Sequence, residues 1–379
     1  MRSSCVREMK SNPTRSSPNR HLNLTPHRTG MKCLPASKLT ASNGVAIHDW
    51  HAEVLALRAF NHFILSECQR LAQGFNSDYL LPCAPATCSP TDGPPFIWNP
   101  SLTLHMYCSE APCGDASMEL IMAAQADASP WDIPSPSDNT TPGNKEPSLP
   151  GRGYFSQLGV VRRKPGRGDA PPSLSKSCSD KISLKQCTSL LSSLTSLLVS
   201  PRGVYLSSLV LPEGRYSEAA CQRCFSCEEG GRMSPLKGKV WASGYGFVPF
   251  RVDTTGEEFE FSQGVVAARA GKTSASNLAV VWTRGGIEEG LVGGVLQGRK
   301  QFDVKGASAV SRGGMWKLVV DLTRSLKPEN LPKGLETATY DEFKEGAGLE
   351  ARRAVKQDTR EGVLRGWVRN EGGGSFTLR

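Results

Sequence analysis

Four side chains in three separate stretches of the sequence could together activate a water molecule. His51 and Glu53 lie two residues apart, Cys113 follows a proline, and Cys178 comes much later in the chain. An imidazole and two thiolates form a ligand set that Zn²⁺ accepts, and three protein ligands leave its fourth position open to water. A carboxylate that is not a ligand can then carry protons between that water and a nucleobase ring. These residue types are therefore suited to hydrolytic deamination.

The spacing of these residues by itself leaves other interpretations open. A lone histidine on a helix is more often a surface or packed residue than a ligand, so the His-x-Glu pair is a weak signal. The proline before Cys113 suits the first turn of a helix, where the helix dipole would stabilise a thiolate. The usual nucleobase-deaminase signature has a second cysteine three residues later, whereas this chain has Ala116 there. Cys178 must then supply the third ligand from a distant part of the chain.

Longer stretches around these residues resemble the adenosine deaminases that act on RNA. The stretches that carry the resemblance most clearly are residues 44–61, 112–118, 163–172 and 177–181. The Lys-Pro-Gly-Arg-Gly-Asp run at 164–169 is similar to the tRNA-specific branch of that family rather than to its messenger-editing branch. The similarity continues more thinly through residues 279–282, 315–316, 340–344 and 366–367, and it covers roughly residues 29–379.

The resemblance implies a fold class and a role for each of the four residues. The implied fold is α/β, with a cytidine-deaminase-like layered sheet, active-site helices and further C-terminal α/β elements. His51, Cys113 and Cys178 match the zinc ligands, and Glu53 matches the residue that moves protons. The implied reaction is the zinc-dependent hydrolysis of adenosine to inosine.

The resemblance also implies tRNA as the partner, and no DNA partner. The implied target is the adenosine at position 37, next to the anticodon of tRNA-Ala. Lys32, Arg167 and Asp169 match positions that face the substrate. Arg162, Arg163, Lys164 and Arg167 are expected to meet phosphates. Without the resemblance, a solvated basic loop is the simpler interpretation of these cations.

A second cofactor, inositol hexakisphosphate, is implied by the resemblance alone. Such a polyanion can be buried in a protein only where cations match its charge. The residues that match its contacts are Arg58, Lys181, Lys344, Trp367 and Arg312. Asp49 and Lys164 are expected to link that ligand to the zinc site by hydrogen bonds. The plainer interpretation of each cation is a surface charge.

The overall charge agrees with a polyanionic partner. The 379 residues include 45 Lys and Arg against 36 Asp and Glu, which gives a net charge of +9. No run of about 18 apolar residues is present, so we expect no membrane-spanning segment. We expect the protein in the nucleus, the cytoplasm or both.

Twelve cysteines occur without an evident secretory signal, so we expect thiols or metal ligands rather than disulfides. Cys221, Cys224 and Cys227 have a spacing that could hold a metal. No fourth ligand is obvious nearby, and structural thiols are the simpler interpretation.

Composition and periodicity predict how the chain is organised. Residues 1–28 are rich in Arg and Ser and are predicted to be a disordered basic segment, and residues 29–379 the deaminase domain, with loop insertions at 74–98 and 127–152. Strands are predicted at 29–47 (with a hairpin), 101–107, 203–211 and 278–282. Helices are predicted at 49–71, 116–126, 184–198, 312–326 and 339–365.

Two other functions stay open at this point. The family usually has a further helix and strand ahead of residue 29, and without them a sheet edge would be exposed. In that case the chain would be a catalytically impaired or truncated RNA-binding zinc protein of the same family. A free-nucleoside or cytidine deaminase would usually keep the compact Pro-Cys-x-x-Cys pattern, which this chain lacks.

Overall fold

The computed structural model describes most of the chain. It describes residues 4–9, 28–29, 32–83, 93–125, 127–129, 149–150, 154–164, 170–270, 275–284, 286–326, 335–336 and 338–378. Its strands are, in chain order, β1 (Ser4–Met9), β2 (Arg28–Thr29), β3 (Leu80–Pro82), β4 (Phe96–Trp98), β5 (Thr103–Cys108), β6 (Leu149–Pro150), β7 (Arg162–Arg163), β8 (Leu206–Pro212), β9 (Arg251–Thr255), β10 (Ala275–Ser276), β11 (Leu278–Trp282), β12 (Glu288–Val292) and β13 (Val295–Leu296). Its α-helices are α1 (Ala52–Ala72), α2 (Met118–Ala123), α3 (Cys178–Thr188), α4 (Glu218–Phe225), α5 (Gln263–Ala270), α6 (Arg312–Leu326), α7 (Tyr340–Glu345) and α8 (Glu350–Glu361).

A four-stranded sheet in the order β1–β5–β8–β9 organises the fold. β1 is antiparallel to β5, whereas β5, β8 and β9 run parallel to one another. Along β5, Leu104, Met106 and Cys108 are buried and alternate with more exposed residues, as the period of a strand requires. Open α/β sheets bind ligands at the carboxyl ends of their parallel strands. The segment after β5, which contains Cys113, leaves the sheet at that end.

Helices α1, α3 and α6 share one hydrophobic core with this sheet. Phe60 and Ile64 of α1 belong to it together with Met106 of β5 and Trp316 and Val319 of α6. Ile64, Met106 and Val319 have no exposed surface. Burial of an aliphatic side chain of this size is worth about 1.5–3 kcal/mol, so this core fixes the position of α1.

A second, smaller core lies against another part of α1. The antiparallel sheet β11–β12–β13 contributes Ala279, Val281 and Leu291, which cluster with Leu55 and Ala59 of α1. α1 is therefore buried on two sides near its amino-terminal end. That is the end that carries Glu53.

The structure confirms a mixed α/β fold and several predicted elements. The strand predicted at 278–282 and the helix predicted at 312–326 have the bounds of β11 and α6. The helix predicted at 49–71 begins three residues later, at Ala52, and ends at Ala72. The strand predicted at 101–107 is β5 (Thr103–Cys108), and the strand predicted at 203–211 is β8 (Leu206–Pro212).

The predicted strand and hairpin at 29–47 are wrong for most of that segment. After β2 the described backbone forms two short 3-10 helices, Ala36–Lys38 and Thr40–Ser42. Asn43 and Gly44 then adopt positive φ values of 40° and 73°, which turn the chain back. The apolar residues of this segment are buried, but the backbone that carries them is irregular and is not a strand.

Three predicted helices are shorter or broken in the structure. α3 starts at Cys178 and ends at Thr188, because Ser189 adopts a φ of 57° that a right-handed helix cannot continue. Only a 3-10 turn at Thr195–Leu197 follows in the predicted range 184–198. The helix predicted at 339–365 is divided into α7 and α8, since Gly346 is extended and ends α7. The helix predicted at 116–126 is a 3-10 turn followed by α2.

Part of the amino-terminal segment is ordered, which differs from the predicted disorder at 1–28. Residues 4–9 form β1, whose backbone pairs with β5 from Ser4–Cys108 to Met9–Thr103. A strand therefore covers the edge of β5 that would otherwise be open to another chain. Residues 1–3 and 10–27 lie outside the described residues.

The two predicted loop insertions contain paired backbone. Within 74–98, β3 and β4 pair antiparallel, with Leu80 opposite Trp98. Within 127–152, β6 pairs with β7, and residues 84–92 and 130–148 lie outside the described residues.

The cysteines are mostly thiols, as expected, with one exception. Nine cysteines among the described residues are free, whereas Cys83 is disulfide-bonded. The expectation of thiols throughout is therefore wrong at Cys83. In the described part of the chain, no helix combines the length and the apolar character that crossing a membrane requires.

Candidate active site

His51 stands at the amino-terminal end of α1. It is the residue before the helix, with an extended backbone (φ −58°, ψ 147°). Its backbone N–H donates to Asp49 Oδ1 at 3.1 Å. The backbone of Asp49 forms an isolated antiparallel β-bridge with that of Cys33. Glu53 follows in the first turn of α1, half-buried. The start of one helix thus delivers both the imidazole and the carboxylate.

Cys113 lies in a tight loop that only glycine at the next position allows. Gly114 has a φ of 108°, and a Cβ added there would lie 2.3 Å from Ser177 Oγ. The loop is therefore in direct contact with the residue that precedes Cys178. The Ser179 N–H also donates to the Cys113 carbonyl at 3.0 Å.

Cys178 is the first residue of α3 and is fully buried. Ser177 caps this helix, since its hydroxyl accepts from the N–H of Asp180 at 3.1 Å. The first turn of α3 therefore presents the Cys178 thiol and its backbone N–H towards the Cys113 loop.

The three predicted ligands converge in the structure. Their ligand atoms all lie within 4.8 Å of one another. His51 Nδ1 is 3.8 Å from Cys113 Sγ, and the Cys178 N–H donates to Cys113 Sγ at 3.3 Å. A tetrahedral zinc would hold a nitrogen and a sulfur ligand about 3.6 Å apart, given ordinary Zn–N and Zn–S bond lengths. One nitrogen and two sulfur donors at these separations fit zinc and leave its fourth position open.

Hydrogen bonding prepares one thiol for a metal. The hydrogen bond with Cys178 lowers the pKa of Cys113 well below its ordinary value, against the effect of burial, and Lys164 and His51 act in the same direction. A metal binds the thiolate, so a lowered pKa favours metal binding at neutral pH.

A series of hydrogen bonds between polar side chains runs from the Cys178 thiol to Lys181, one turn further along α3. Lys164 Nζ donates to Cys178 Sγ at 3.2 Å and to Asp49 Oδ2 at 2.9 Å. Asp49 also accepts from Ser175 Oγ at 2.6 Å and from Lys181 Nζ. Burial alone would raise the pKa of Asp49, but Lys164 and Lys181 hold it well below its ordinary value. Asp49 and Lys164 thus connect Cys178 to Lys181 by hydrogen bonds, and their link to a bound polyanion stays a prediction.

Lys32 lies close enough to Glu53 for their charges to interact. Its side chain is 1% exposed, and Nζ donates to the Leu278 carbonyl at 2.5 Å. Burial lowers its pKa to about 7, while the nearby charge of Glu53 acts in the opposite direction. Lys32 is therefore a neighbour of Glu53, and its role towards substrate stays a prediction.

Comparisons with known proteins place the chain in a family. A family model described as "Adenosine-deaminase (editase) domain" matches residues 28–371. The chain belongs to the adenosine-deaminase (editase) family. It is 35% identical over 354 residues to the tRNA-specific adenosine deaminase 1 of Schizosaccharomyces pombe, which covers 92% of this chain and 82% of that protein.

Other editase relatives match over shorter lengths. The tRNA-specific adenosine deaminase 1 of Saccharomyces cerevisiae is 35% identical over 194 residues, 48% of this chain and 44% of that protein. The double-stranded RNA-specific editase Adar of Drosophila melanogaster is 29% identical over 220 residues, 52% of this chain and 28% of that protein. The editase domain is an adenosine deaminase. The three residues predicted from the sequence to bind zinc are the ones whose side chains converge in this structure.

Several half-buried cations lie near His48, and one of them, Lys181, also donates to Asp49. Burial, followed by the charges of Arg312, Arg58, Lys181 and Lys344, lowers the pKa of His48 to about 2. Four of the five residues predicted to bind a polyanion therefore surround one histidine. Burial and the neighbouring Arg312 also lower the pKa of Arg58 to about 10.

Helix α8 adds cations that the sequence reasoning missed. Arg352, Lys356 and Arg360 recur every four residues and share one face of the helix. Burial and the nearby Arg352 lower the pKa of Lys356 well below its ordinary value. Trp367 lies between Arg360 and Lys176, with ring distances of 4.9 and 5.5 Å. The i, i+4 spacing of basic residues in a helix was the signal that could have found them.

The basic loop differs from the prediction where the structure describes it. Arg162 is 1% exposed and donates to the Tyr154 carbonyl at 3.1 Å, and Lys164 is buried beside Cys178. The expectation that Arg162 and Lys164 contact phosphates is therefore wrong. The Arg162 guanidinium is enclosed by its own chain, and the buried Lys164 ammonium is paired with Asp49 and Cys178. Arg167 and Asp169 lie outside the described residues.

The cysteines at 221–227 form no metal site with the described residues. The only group of metal-ligating side chains found among those residues is His51, Cys113 and Cys178. Burial raises the pKa of Cys221 to about 11 and that of Cys224 to about 12. These two are buried thiols, as the simpler interpretation of the sequence holds.

Proposed function

We propose that this chain is a zinc-dependent, tRNA-specific adenosine deaminase that converts adenosine to inosine. The observation that carries the proposal is the convergence of His51, Cys113 and Cys178 within 4.8 Å, with Glu53 in the first turn of α1. The choice of tRNA is supported by the long match to the fission yeast relative, whose name states that substrate.

Zinc is the metal that the donor set favours, and His51, Cys113 and Cys178 would hold it. When bound, zinc lowers the pKa of water and so provides a nucleophile at neutral pH. Lys164 donates a hydrogen bond to Cys178 Sγ, which reduces the negative charge of that ligand and fixes its direction. The open side of the cluster is where the target base must enter.

Glu53 is the group that moves protons in this mechanism. Its carboxylate takes a proton from the attacking water and delivers one to N1 of the adenine ring, which makes C6 more electrophilic. Once the water oxygen has bonded to C6, Glu53 takes the second proton of that oxygen and delivers it to the C6 amino group, so the C6–N bond breaks, ammonia leaves and the C6–O double bond of inosine forms. The side chain of Lys32 lies near this carboxylate, and the two charges attract each other.

We further propose the adenosine next to the anticodon of tRNA-Ala, position 37, as the target. A base in an anticodon loop is already partly unstacked, so its extrusion costs less than from a duplex. Lys32, Arg167 and Asp169 are the proposed substrate contacts. A tRNA substrate agrees with the proposed location in the nucleus, the cytoplasm or both.

Inositol hexakisphosphate is the proposed second cofactor. Burial, and after it the charges of neighbouring cations, lowers the pKa values of Lys344 and Lys356, so these cations repel one another. A buried polyanion would remove this repulsion. The proposed contacts are those predicted from the sequence, with those of α8 added.

The layering of the family's cytidine-deaminase-like fold is also a proposal. The parallel strands β5, β8 and β9, with Cys113 and Cys178 after β5 and at the start of α3, support it. The ordered pairing of β1 with β5 gives no support to the catalytically impaired alternative.

The test is incubation of the purified chain with a panel of unmodified tRNAs. Inosine is then mapped by sequencing as an A-to-G change. We expect one modified adenosine, 3′ of the anticodon in tRNA-Ala, and none with the Glu53→Gln variant. Inosine in no tRNA, with zinc bound, would refute the proposed activity, and inosine at another position would refute only the proposed target.

A further inference from the structure

Each cysteine of the proposed zinc site is followed, two residues later, by a buried aspartate. Asp115 follows Cys113, Asp180 follows Cys178, and neither aspartate has any exposed surface. A buried carboxylate is costly unless its charge is paired and hydrogen-bonded. The partners of these two carboxylates therefore determine where the adjacent ligand segments lie.

Arg223 of α4 holds the first of these segments. Its Nε donates to Asp115 Oδ2 at 3.0 Å, and Nη2 donates to the Asp115 carbonyl at 3.2 Å. The same guanidinium donates to both carboxylate oxygens of Glu119, at 2.5 and 3.0 Å. The other oxygen of Asp115 accepts from the Gly159 N–H at 3.0 Å. Side chain and backbone of the Cys113 loop are thus bound by one arginine.

Arg232 holds the second segment in a similar way. Its Nη1 donates to Asp180 Oδ1 at 2.8 Å, and Nη2 donates to Ser183 Oγ at 3.0 Å. Both acceptors belong to α3, the helix that begins with Cys178. Asp180 Oδ2 accepts from Ser177 Oγ at 2.5 Å. Both oxygens of the Asp180 carboxylate therefore accept hydrogen bonds, and these hydrogen bonds fix the first turn of α3.

The two arginines belong to one short segment and are joined through the backbone. The Arg232 N–H donates to the Arg223 carbonyl at 2.9 Å. The turn between them is compact, because a Cβ added at Gly231 would lie 2.2 Å from the Ser226 carbonyl oxygen. A movement of one arginine would therefore displace the other.

We propose that Arg223 and Arg232 are positioning residues, here named the arginine brace, that set the separation of the two cysteine ligands. The inference rests on the proposed zinc site. The ligand segments already touch through Gly114 and Ser177 and through the hydrogen bonds that the Cys178 and Ser179 N–H groups donate to Cys113, and the brace ties them again through Asp115 and Asp180. The direct contacts all lie close to the two ligands, whereas the brace holds each segment two residues further on, and this second point of attachment restricts rotation about the direct contacts.

The brace also gives Cys224 a function that does not involve metal. Arg232 Nη2 donates to Cys224 Sγ at 3.4 Å, and the Ser183 hydroxyl donates to the Cys224 carbonyl at 3.1 Å. Cys224 therefore packs against the guanidinium and helps to orient it.

The test compares Arg223→Lys and Arg232→Lys with the wild-type chain. Lysine keeps the charge that Asp115 and Asp180 need, but it cannot reproduce the forked contacts of a guanidinium. Zinc affinity is measured by competition with a chelator, and the geometry of the site by the absorption bands of the cobalt-substituted protein. We expect zinc affinity about 10-fold weaker or more for each variant, with shifted cobalt bands. With saturating zinc, kcat for tRNA should fall while KM stays unchanged.

A matched control separates positioning from general destabilisation. Val319→Ala removes a buried core side chain of α6 and should lower stability while leaving zinc affinity and the cobalt bands unchanged. Wild-type affinity and cobalt bands in both lysine variants would overturn the brace. If a lysine variant does not fold, the charge-free pair Arg232→Met with Asp180→Asn is measured instead, and unchanged zinc affinity there would equally overturn it. Failure of the wild-type chain to bind zinc would refute the proposed function, which keeps the two failures distinct.

Discussion

Single residues around the ligand cluster divide its chemistry among themselves. His51, Cys113 and Cys178 provide donor atoms, whereas Glu53 stands on the same helix end without joining the cluster. Lys164 contacts both a ligand sulfur and Asp49, so it links the ligands to the interior. Proton transfer and metal binding should therefore be separable by substitution.

Glu53→Gln should abolish inosine formation and leave zinc binding intact. The amide keeps the size of the side chain but cannot take up and release the proton, and general acid–base catalysis is typically worth about 10²–10⁴-fold. Zinc content by metal analysis and inosine formation in tRNA are measured on the same sample. Turnover near the wild-type rate would remove Glu53 from the mechanism.

Lys164→Met should destabilise the protein strongly. It removes one of the two cations paired with the buried Asp49 and leaves only Lys181, and breaking a buried ion pair costs up to about 3–5 kcal/mol. The free energy of unfolding is measured by denaturant titration. The control is Lys317→Met on α6, where an exposed pair with Asp321 is worth at most about 1 kcal/mol. Equal losses in the two variants would contradict a structural role for Lys164.

At the scale of elements, α1 joins the two cores to the active site. Its 21 residues span about 30 Å, with His51 and Glu53 at one end and Ile64 and Cys68 deep in the main core. The active site is therefore as well fixed as the packing of this helix. Changes in the far part of α1 should act on stability rather than on chemistry.

Ile64→Ala should lower the free energy of unfolding by about 2–5 kcal/mol, because it opens a cavity in a fully buried position. The exposed Gln69→Ala on the same helix should change it by no more than about 0.5 kcal/mol. Denaturant titration gives both values, and kcat of the folded variants should match the wild type. A large fall in kcat with normal stability would contradict the expectation that this part of α1 affects only stability.

The bounds of a helix or strand can be predicted from the sequence only where the residues that terminate it have a recognisable pattern. α6 and β11 have regular patterns and were predicted with the correct bounds. The predicted helix at 184–198 was wrong because Ser189 takes a left-handed conformation, which no pattern of apolar residues reveals. The zinc ligands were found because the residues around them form motifs. Arg223 and Arg232 were missed because their partners are brought together only by the fold.

At the scale of the whole molecule, the main peculiarity is an interior that holds many cations. They come from α1, α3, α6, α7 and α8, so the whole domain converges on this region. The sequence alone cannot distinguish such residues from surface charges, because burial depends on the tertiary fold. Their mutual repulsion should make the stability of the protein depend on pH and on polyanions.

Without a polyanion, the free energy of unfolding should rise with pH above neutrality. Burial and nearby charges lower the pKa of Lys344 to about 8, from an ordinary 10.5. Between these values the unfolded chain binds more protons than the folded chain, so stability increases with pH. The charged groups that act on Lys344 are Arg312, Asp341, Arg360 and Arg369.

Added inositol hexakisphosphate should stabilise the protein and cancel this rise, because it favours the charged form of each lysine. Denaturant titrations across that pH window, with uncharged inositol as the control, measure both effects. A profile that is the same with and without the polyanion would contradict its burial among these cations.

The most direct measurement is inosine formation in tRNA-Ala before and after removal of zinc by a chelator. We expect no inosine from the metal-free chain, and full recovery when one equivalent of zinc per chain is restored. Turnover by the metal-free protein at the rate of the zinc-loaded protein would contradict a deaminase centre built from His51, Cys113 and Cys178.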